Sequence, residues 1–296
     1  MWAIPEQHFT NKNEKVLSSK SSKCDGWRER QMSGRCMSVF GKKKAVLLTT
    51  VCFFWNTVWL FSFAEEPVWD ESRAIRLFDG HSLNGWVVKC KPQDDDKRSY
   101  WKVEDGAIVA EVPPGSKHDY IWLVTEQEFG DFELRLRVQT FSTSKGNSGI
   151  QVRSRYDDQA YWMDGPQVDI NPPGPWRCGF IYDETRGAQV WLWPDVGRPA
   201  NARPEHAPAG WKWFHADDPS HPGAWNEVRV ICQGLRIRTF INGVPVADYD
   251  GTGRLDDEHH QKRNVGRVGH IALQIHPGGN LHIRFKDIRL LPLNAE

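Results

Sequence analysis

The chain has 296 residues, with 38 Lys+Arg balanced by 38 Asp+Glu, a length that suits one large domain or two small ones. The charge is uneven: residues 1–44 carry a net +6, residues 45–64 none, and the remainder −6. A mildly acidic main domain argues against nucleic acid as its partner, because phosphate recognition needs a basic surface.

Residues 1–36 are polar, basic and aperiodic, and read as a disordered or mis-called N-terminal extension. Residues 37–64 read as a secretory signal peptide. Lys42–Lys44 form its positive start, Ala45–Phe63 its apolar run, and Ser62-Phe63-Ala64 a small-residue cleavage site before Glu65-Glu66. Translation starting at Met37 accounts for the long basic segment upstream. An uncleaved membrane anchor is the competing reading, since about nineteen apolar residues can span a bilayer. Either way, residues 65–296 are expected as a single domain outside the cytoplasm, periplasmic, extracellular or anchored. Only Cys90, Cys178 and Cys232 fall in that domain, which is neither a disulfide framework nor a zinc spacing.

Within the domain, Arg76–Gly80 and Ser82–Trp86 read as a short strand and a turn. The acidic run Asp94–Asp96 reads as a solvated loop. Trp101–Glu111 reads as a hairpin turning at Asp105-Gly106, and Ile121–Thr125 as a strand. Phe132–Gln139 alternates, with Phe132, Leu134, Leu136 and Val138 inward and Glu133, Arg135, Arg137 and Gln139 outward. Gln189–Ala224, rich in Pro, Trp and His, reads as a long excursion. Strands resume at Asn226–Cys232 and Leu235–Tyr249, the latter turning at Asn242-Gly243. A charged stretch, Arg254–Arg267, precedes strands at Gly269–His276 and Leu281–Leu291. Many short strands without a helical period predict an all-β sandwich or barrel.

One stretch, Asn147–Glu184, carries polar residues where a buried strand would be apolar. Alternate side chains of a strand point to opposite faces. Gln151 and Arg153 therefore share the face opposite Ile150 and Val152, and Gln167 and Asp169 the face opposite Val168 and Ile170. Aligned in one sheet, Arg153, Gln167 and Asp169 are expected to converge on a common surface, close to the run Cys178–Tyr182 that leads into Asp183 and Glu184.

The ordered runs LFDGHSLNGW, WKVEDGAIVAE, FGDFELRLRV, NSGIQVRS, WNEVRVICQG, FINGVPVADY, HIALQIH and IRFKDIRLLPL resemble the 3-keto-disaccharide hydrolase domain family over roughly Ile75–Leu293. The resemblance implies a concanavalin A-like jelly-roll β-sandwich of two antiparallel sheets, export, and action on oxidised sugars. The usual family pattern reads Glu-x-Gln-hydrophobic-Asp. Here Gln167 and Asp169 match, while Gly165 stands at the glutamate position. A branch of the family carries Gly-x-Gln-x-Asp followed by Gly-x-x-Tyr-Asp-Glu, and Gly179–Glu184 (GFIYDE) is similar to it.

The chemistry so implied needs a base, donors for an enolate oxygen, and an acid for the leaving group. Asp169 suits the base and Arg153, with its fork of donors, the keto or enolate oxygen. His276 suits the acid, with Tyr182 as second candidate. Gln167, Asn147, Trp176 and Glu184 are expected to bind substrate, Trp176 by stacking on a sugar ring. Plainer readings stand beside these. Arg153 and Asp169 could be a structural ion pair, His276 a loop-entry residue, Tyr182 a packed aromatic, Asn147 a turn former, and the tryptophans a local core for the excursion. An ordinary retaining glycosidase needs two carboxylates about 5–5.5 Å apart; Gly165-x-Gln167-x-Asp169 supplies one, and Asp183 or Glu184 could supply the second. No essential cofactor is expected, although Asp169, Glu184 and His276 could share a divalent ion such as Ca2+. The partner is a carbohydrate, a disaccharide or other glycoside, with functional coupling to a sugar 3-oxidoreductase. A non-catalytic carbohydrate-binding module is the rival reading, and a membrane-tethered adhesion domain a third. The oligomeric state is not legible.

Overall fold

The computed structural model describes residues 67–293. The expected extension 1–36 and signal segment 37–64 lie outside the described residues. In chain order the strands are β1 (Ile75–Arg76), β2 (Trp86–Cys90), β3 (Trp101–Glu104), β4 (Ala107–Glu111), β5 (Ile121–Thr125), β6 (Phe132–Thr140), β7 (Ser148–Asp157) and β8 (Trp162–Asp164). They continue with β9 (Pro166–Ile170), β10 (Ile181–Asp183), β11 (Val190–Trp193), β12 (Asn226–Gln233), β13 (Arg236–Ile241), β14 (Val244–Asp250), β15 (His270–Ile275) and β16 (His282–Pro292).

These strands form two antiparallel sheets in a jelly-roll sandwich. One runs β14-β13-β12-β6-β16-β4-β3 with β1 on β16, the other β11-β10-β9-β7-β15-β5-β2 with β8 on β7. Inward residues of both sheets make one core. It includes Leu134, Leu136, Val138, Val228 and Val230 from the first sheet, and Ile150, Val168, Ile170, Ile271 and Leu273 from the second. The two hairpins turn at Asp105-Gly106 and Asn242-Gly243, all four residues at positive φ, as a two-residue type I′ connection requires.

Five sequence readings change. Glu133 does lie on the outer face of β6, but Arg135 and Arg229 cover it, and it is wholly buried. The run Asp94–Asp96 sits in a 3-10 helix (Pro92–Tyr100), and Asp94 is buried, accepting from the Asp119 amide at 2.9 Å and pairing with Lys97 at 3.1 Å. The charged stretch 254–267 holds a helix, α1 (Glu258–Arg263), capped by the Asp257 side chain and ended by left-handed Asn264. Asp and Asn are good residues for those two ends, and six residues are too few to show a period. The excursion contains β11, and its tryptophans pack on the core: Trp193 donates to Val246 O at 2.7 Å and Trp213 to Thr140 Oγ1 at 2.8 Å.

The fifth change concerns the expected convergence. The run 161–170 breaks at Gly165, whose φ of +129° suits glycine. A Cβ there would stand 2.2 Å from Ser154 Oγ, so no side chain fits at the position where the family pattern has glutamate. On β7 the register against β15 slips, pairing Gln151 with Ala272 but Ser154 with His270. The extra residue is a bulge at Arg153, which takes a φ of +50°. A bulge inverts the alternation beyond it. Arg153 is therefore turned away from the polar face and wholly buried. There it donates to the carbonyls of Gly130 (2.7 Å), Gly234 and Gly266 and to Asp131 Oδ1 (2.7 Å). It is a structural cation. Arg153→Gln is expected to cost about 3 kcal/mol in urea unfolding, because it strands that cage and Asp131, while substrate affinity of the folded protein stays unchanged.

Candidate active site

The outer face of the second sheet, away from the core, holds a cavity of about 410 Å³. Alternation along β9 places Gln167 and Asp169 on its floor while Val168 and Ile170 enter the core. Tyr182 of β10 pairs with Gln167 on one side and Trp191 of β11 on the other, and Glu184 follows just past the strand. Asn147 enters at the start of β7, His276 at the end of β15 and Tyr120 at the start of β5. Trp162 of β8, Gln189 and Arg177 complete the lining. Close approach of β7 makes this floor possible: a Cβ on Gly149 would stand 2.3 Å from Gln167 Cδ. Gly149→Ala is accordingly expected to displace Gln167 and to cost about 1–3 kcal/mol of stability, readable in thermal melts together with weaker ligand binding.

Six of the eight residues nominated from sequence line the cavity: Asp169, Tyr182, His276, Gln167, Asn147 and Glu184. Arg153 does not, for the reason given. Trp176 does not either. It packs half-buried, edge-on to Phe180 at 5.9 Å, with the Arg177 guanidinium 6.0 Å from its ring. The cation of the site is Arg177, from the 3-10 turn Pro175–Arg177. Its Nε donates to Asp169 Oδ2 at 3.0 Å and its guanidinium lies 5.5 Å from the Trp191 ring. Its two Nη groups have no hydrogen bond among the described residues.

The carboxyls differ in environment. Glu184 is almost fully buried and makes no ion pair among the described residues. Burial pushes its pKa up to about 8 against the opposing effect of Gln274, with lesser upward contributions from the charges of Asp169 and Asp183. Gln274, wholly buried on β15, lies against that carboxyl, although neither of its amide atoms reaches hydrogen-bonding geometry. Asp169 is also raised by burial, but Arg177 and then Asn147 oppose the rise. Asp169 is thus the carboxyl whose ionised form has a cation beside it, and Glu184 the one that keeps its proton near neutrality.

His276 is corrected as the acid. Its Nδ1 stands 2.8 Å from Pro277 O, which can only accept, so Nδ1 carries the proton. Its Nε2, 3.0 Å from Tyr120 Oη, therefore accepts from that hydroxyl. Burial lowers its pKa against the opposing hydrogen bond to Pro277, and in the neutral ring this geometry leaves no proton to give at Nε2. Tyr182 is pushed up to about 12 by burial and by Glu184 and Asp183, so its hydroxyl is a donor at working pH. Gln167 accepts from Gln151 Nε2 at 3.3 Å, which leaves its own amide N–H groups for a ligand. Tyr120, Trp162, Tyr182 and Trp191 form aromatic walls suited to a sugar ring. Among the described residues no three His, Cys, Asp or Glu side chains are grouped to hold a metal ion, and Asp169, Glu184 and His276 do not form such a set.

A model of the 3-keto-alpha-glucoside-1,2-lyase-like domain matches residues 73–291. No curated protein matches the sequence. Among solved structures, a Parabacteroides distasonis protein provisionally assigned to the glycosyl hydrolases is 18% identical, covers 77% of this chain and 99% of its own, and has a TM-score of 0.48. The carbohydrate binding module CBM66 from Bacillus subtilis is 11% identical over 69% of this chain and 93% of its own, with a TM-score of 0.39.

Proposed function

We propose that this chain, which belongs to the 3-keto-alpha-glucoside-1,2-lyase-like family, cleaves 3-keto-glycosides by elimination across C1 and C2. The observation that carries the reading is the pair of carboxyls with opposite environments, Asp169 beside Arg177 and Glu184 without a cation. Two carboxyls in one cavity, one paired with a guanidinium and the other unpaired and held protonated, suit a base and an acid.

A ketone at C3 acidifies the hydrogen on C2. Asp169 takes that proton, and the C–H electrons form the C2=C3 enolate. The free Nη groups of Arg177 hold the negative oxygen, a task that preorganised donors in a partly dry site perform well. As the C3 ketone reforms, C1=C2 forms and the C1–O bond breaks with its electrons on the leaving oxygen. Glu184 gives that oxygen its proton. Water added across C1=C2 afterwards yields net hydrolysis. Gln167 and Tyr182 hold hydroxyls, and the aromatic walls hold the ring. Tyr182→Phe is expected to lower kcat/KM by about tenfold, the loss of one hydrogen bond to a bound hydroxyl, measured in steady-state kinetics.

The substrate implies a supplying reaction, oxidation of a sugar at C3 by an oxidoreductase. Export completes the proposal, and intact-mass analysis of the secreted protein distinguishes cleavage after Ala64 from retention of an anchor. The test of function is incubation with matched 3-keto and unoxidised disaccharides, beside Asp169→Asn. Cleavage of the 3-keto sugar alone, lost in the variant, is the expected result. Sugar binding without turnover would leave a carbohydrate-binding module in its place.

A further inference from the structure

Glu184 lies between Asp183 and Thr185, and one side chain holds both neighbours. His260, wholly buried on α1, places Nε2 3.3 Å from Asp183 Oδ2 and 3.2 Å from Thr185 Oγ1, and Nδ1 2.7 Å from Asp257 Oδ1. Asp183 and Thr185 are themselves wholly buried, and Asp183 Oδ1 accepts the Thr185 amide at 3.0 Å. The other charges around this knot are Arg254, 3.9 Å from Asp183 Oδ2 and bound to Ala188 O at 3.0 Å, and the pair Arg186 and Arg263 on Asp164. Helix α1 fits tightly against the turn after Glu184, since a Cβ on Gly187 would stand 2.7 Å from the His259 ring.

The arrangement has the hydroxyl–imidazole–carboxylate order of a nucleophilic triad, but Thr185 and His260 are closed to any substrate, so it does no chemistry of its own. A single buried cation here serves the segment that carries the acid. We propose that His260 is a positioning residue for Glu184: by gripping Asp183 and Thr185 it fixes where the Glu184 carboxyl stands, and it neutralises the buried anion directly behind it. The proposal rests on Glu184 being the acid of the cavity. Burial works against charge on His260, but Asp183 and then Asp257 outweigh it and raise its pKa above the ordinary value. Asp183 is one of the charges that raise Glu184. Removing the imidazolium leaves that charge exposed to Glu184, and removing the anion relieves it, so the two substitutions act in opposite directions.

The test uses the full chain and two readouts. Carboxyl 13C NMR follows the titration of Glu184, assigned by its loss in Glu184→Gln, and steady-state kinetics on a 3-keto-glycoside follow the alkaline limb of kcat. His260→Gln is expected to move both midpoints up by about one pH unit and Asp183→Asn to move both down by a similar amount. With its segment loosened, His260→Gln also loses roughly tenfold in kcat at unchanged KM. Should His260→Gln fail to fold, the downward shift in Asp183→Asn carries the test. Unmoved midpoints, or shifts in one direction for both variants, overturn the proposal. Midpoints that move as stated in a protein that cleaves no 3-keto-glycoside leave His260 in its role and remove the substrate reading instead.

Discussion

Glu184→Gln is expected to lower kcat by about 10²–10⁴-fold, the usual worth of a positioned acid, while making the protein more stable at pH 8. The two effects have one cause. Glu184 is buried on the cavity wall without a cation, and its pKa rises from 4.5 to about 8. Below pH 4.5 the folded and unfolded chains both hold this proton. Between 4.5 and 8 the unfolded chain has released it and the folded chain has not, so stability falls as pH rises through that window. At about 1.4 kcal/mol per pH unit, the loss by pH 8 is about 3–5 kcal/mol. Glutamine carries no proton to lose and escapes the slope. Urea unfolding at pH 4.5 and pH 8 should therefore show a variant that gains on the native protein as pH rises. Activity has the matching limb: the acid works only while protonated, and kcat falls above about pH 8. Equal pH slopes of stability in the two proteins would remove Glu184 from the role of buried acid.

How much of this was legible in the sequence depends on the residue. Strict alternation along 166–170 is enough to put Gln167 and Asp169 on one face, and the structure keeps it. The same rule fails at Arg153, because a single extra residue in β7 inverts every side chain beyond it. Its left-handed φ accompanies a carbonyl cage from Gly130, Gly234 and Gly266, segments remote in sequence, and no local pattern announces it. Arg177 was missed for a related reason. It lies in a Pro-rich turn with no period, and only the packing of that turn on Phe180 and Trp191 aims it at Asp169. Tyr120 was missed because β5 reaches the site through β15, a pairing between segments some 150 residues apart, and Trp162 because the break at Gly165 puts it on a separate strand, β8, paired with β7. Gly165 is the informative exception. Its departure from the family pattern is visible in the sequence, and the structure supplies the reason: the backbone and Ser154 leave no room for a side chain, while Glu184 donates its own amide to Gly165 O at 3.0 Å. The carboxyl absent from one strand is present on the next.

Asp169 and Arg177 are expected to behave as one unit, and a double-mutant cycle reads this directly. Asp169→Asn removes the base and should cost about 10³-fold or more in kcat. Arg177→Met acts twice. It withdraws the donors for the enolate oxygen, worth about 10²–10³-fold, and it leaves a wholly buried carboxylate without its cation. Arg177 is the largest influence opposing the burial of Asp169, so Asp169 must ionise at higher pH once it is gone. A base works only when ionised, and the acidic limb of kcat should move to higher pH in Arg177→Met. Folding shows the same coupling. Arg177→Met destabilises above the pKa of Asp169, whereas the double variant Asp169→Asn/Arg177→Met, with no charge left to bury, recovers part of that loss. In turnover the double variant should be no slower than Asp169→Asn alone, because the guanidinium has no enolate to hold when no proton is taken. Additive losses would mean that Arg177 serves a step independent of Asp169, and the keto oxygen would then need another donor, a part the amide of Gln167 on the cavity floor can play.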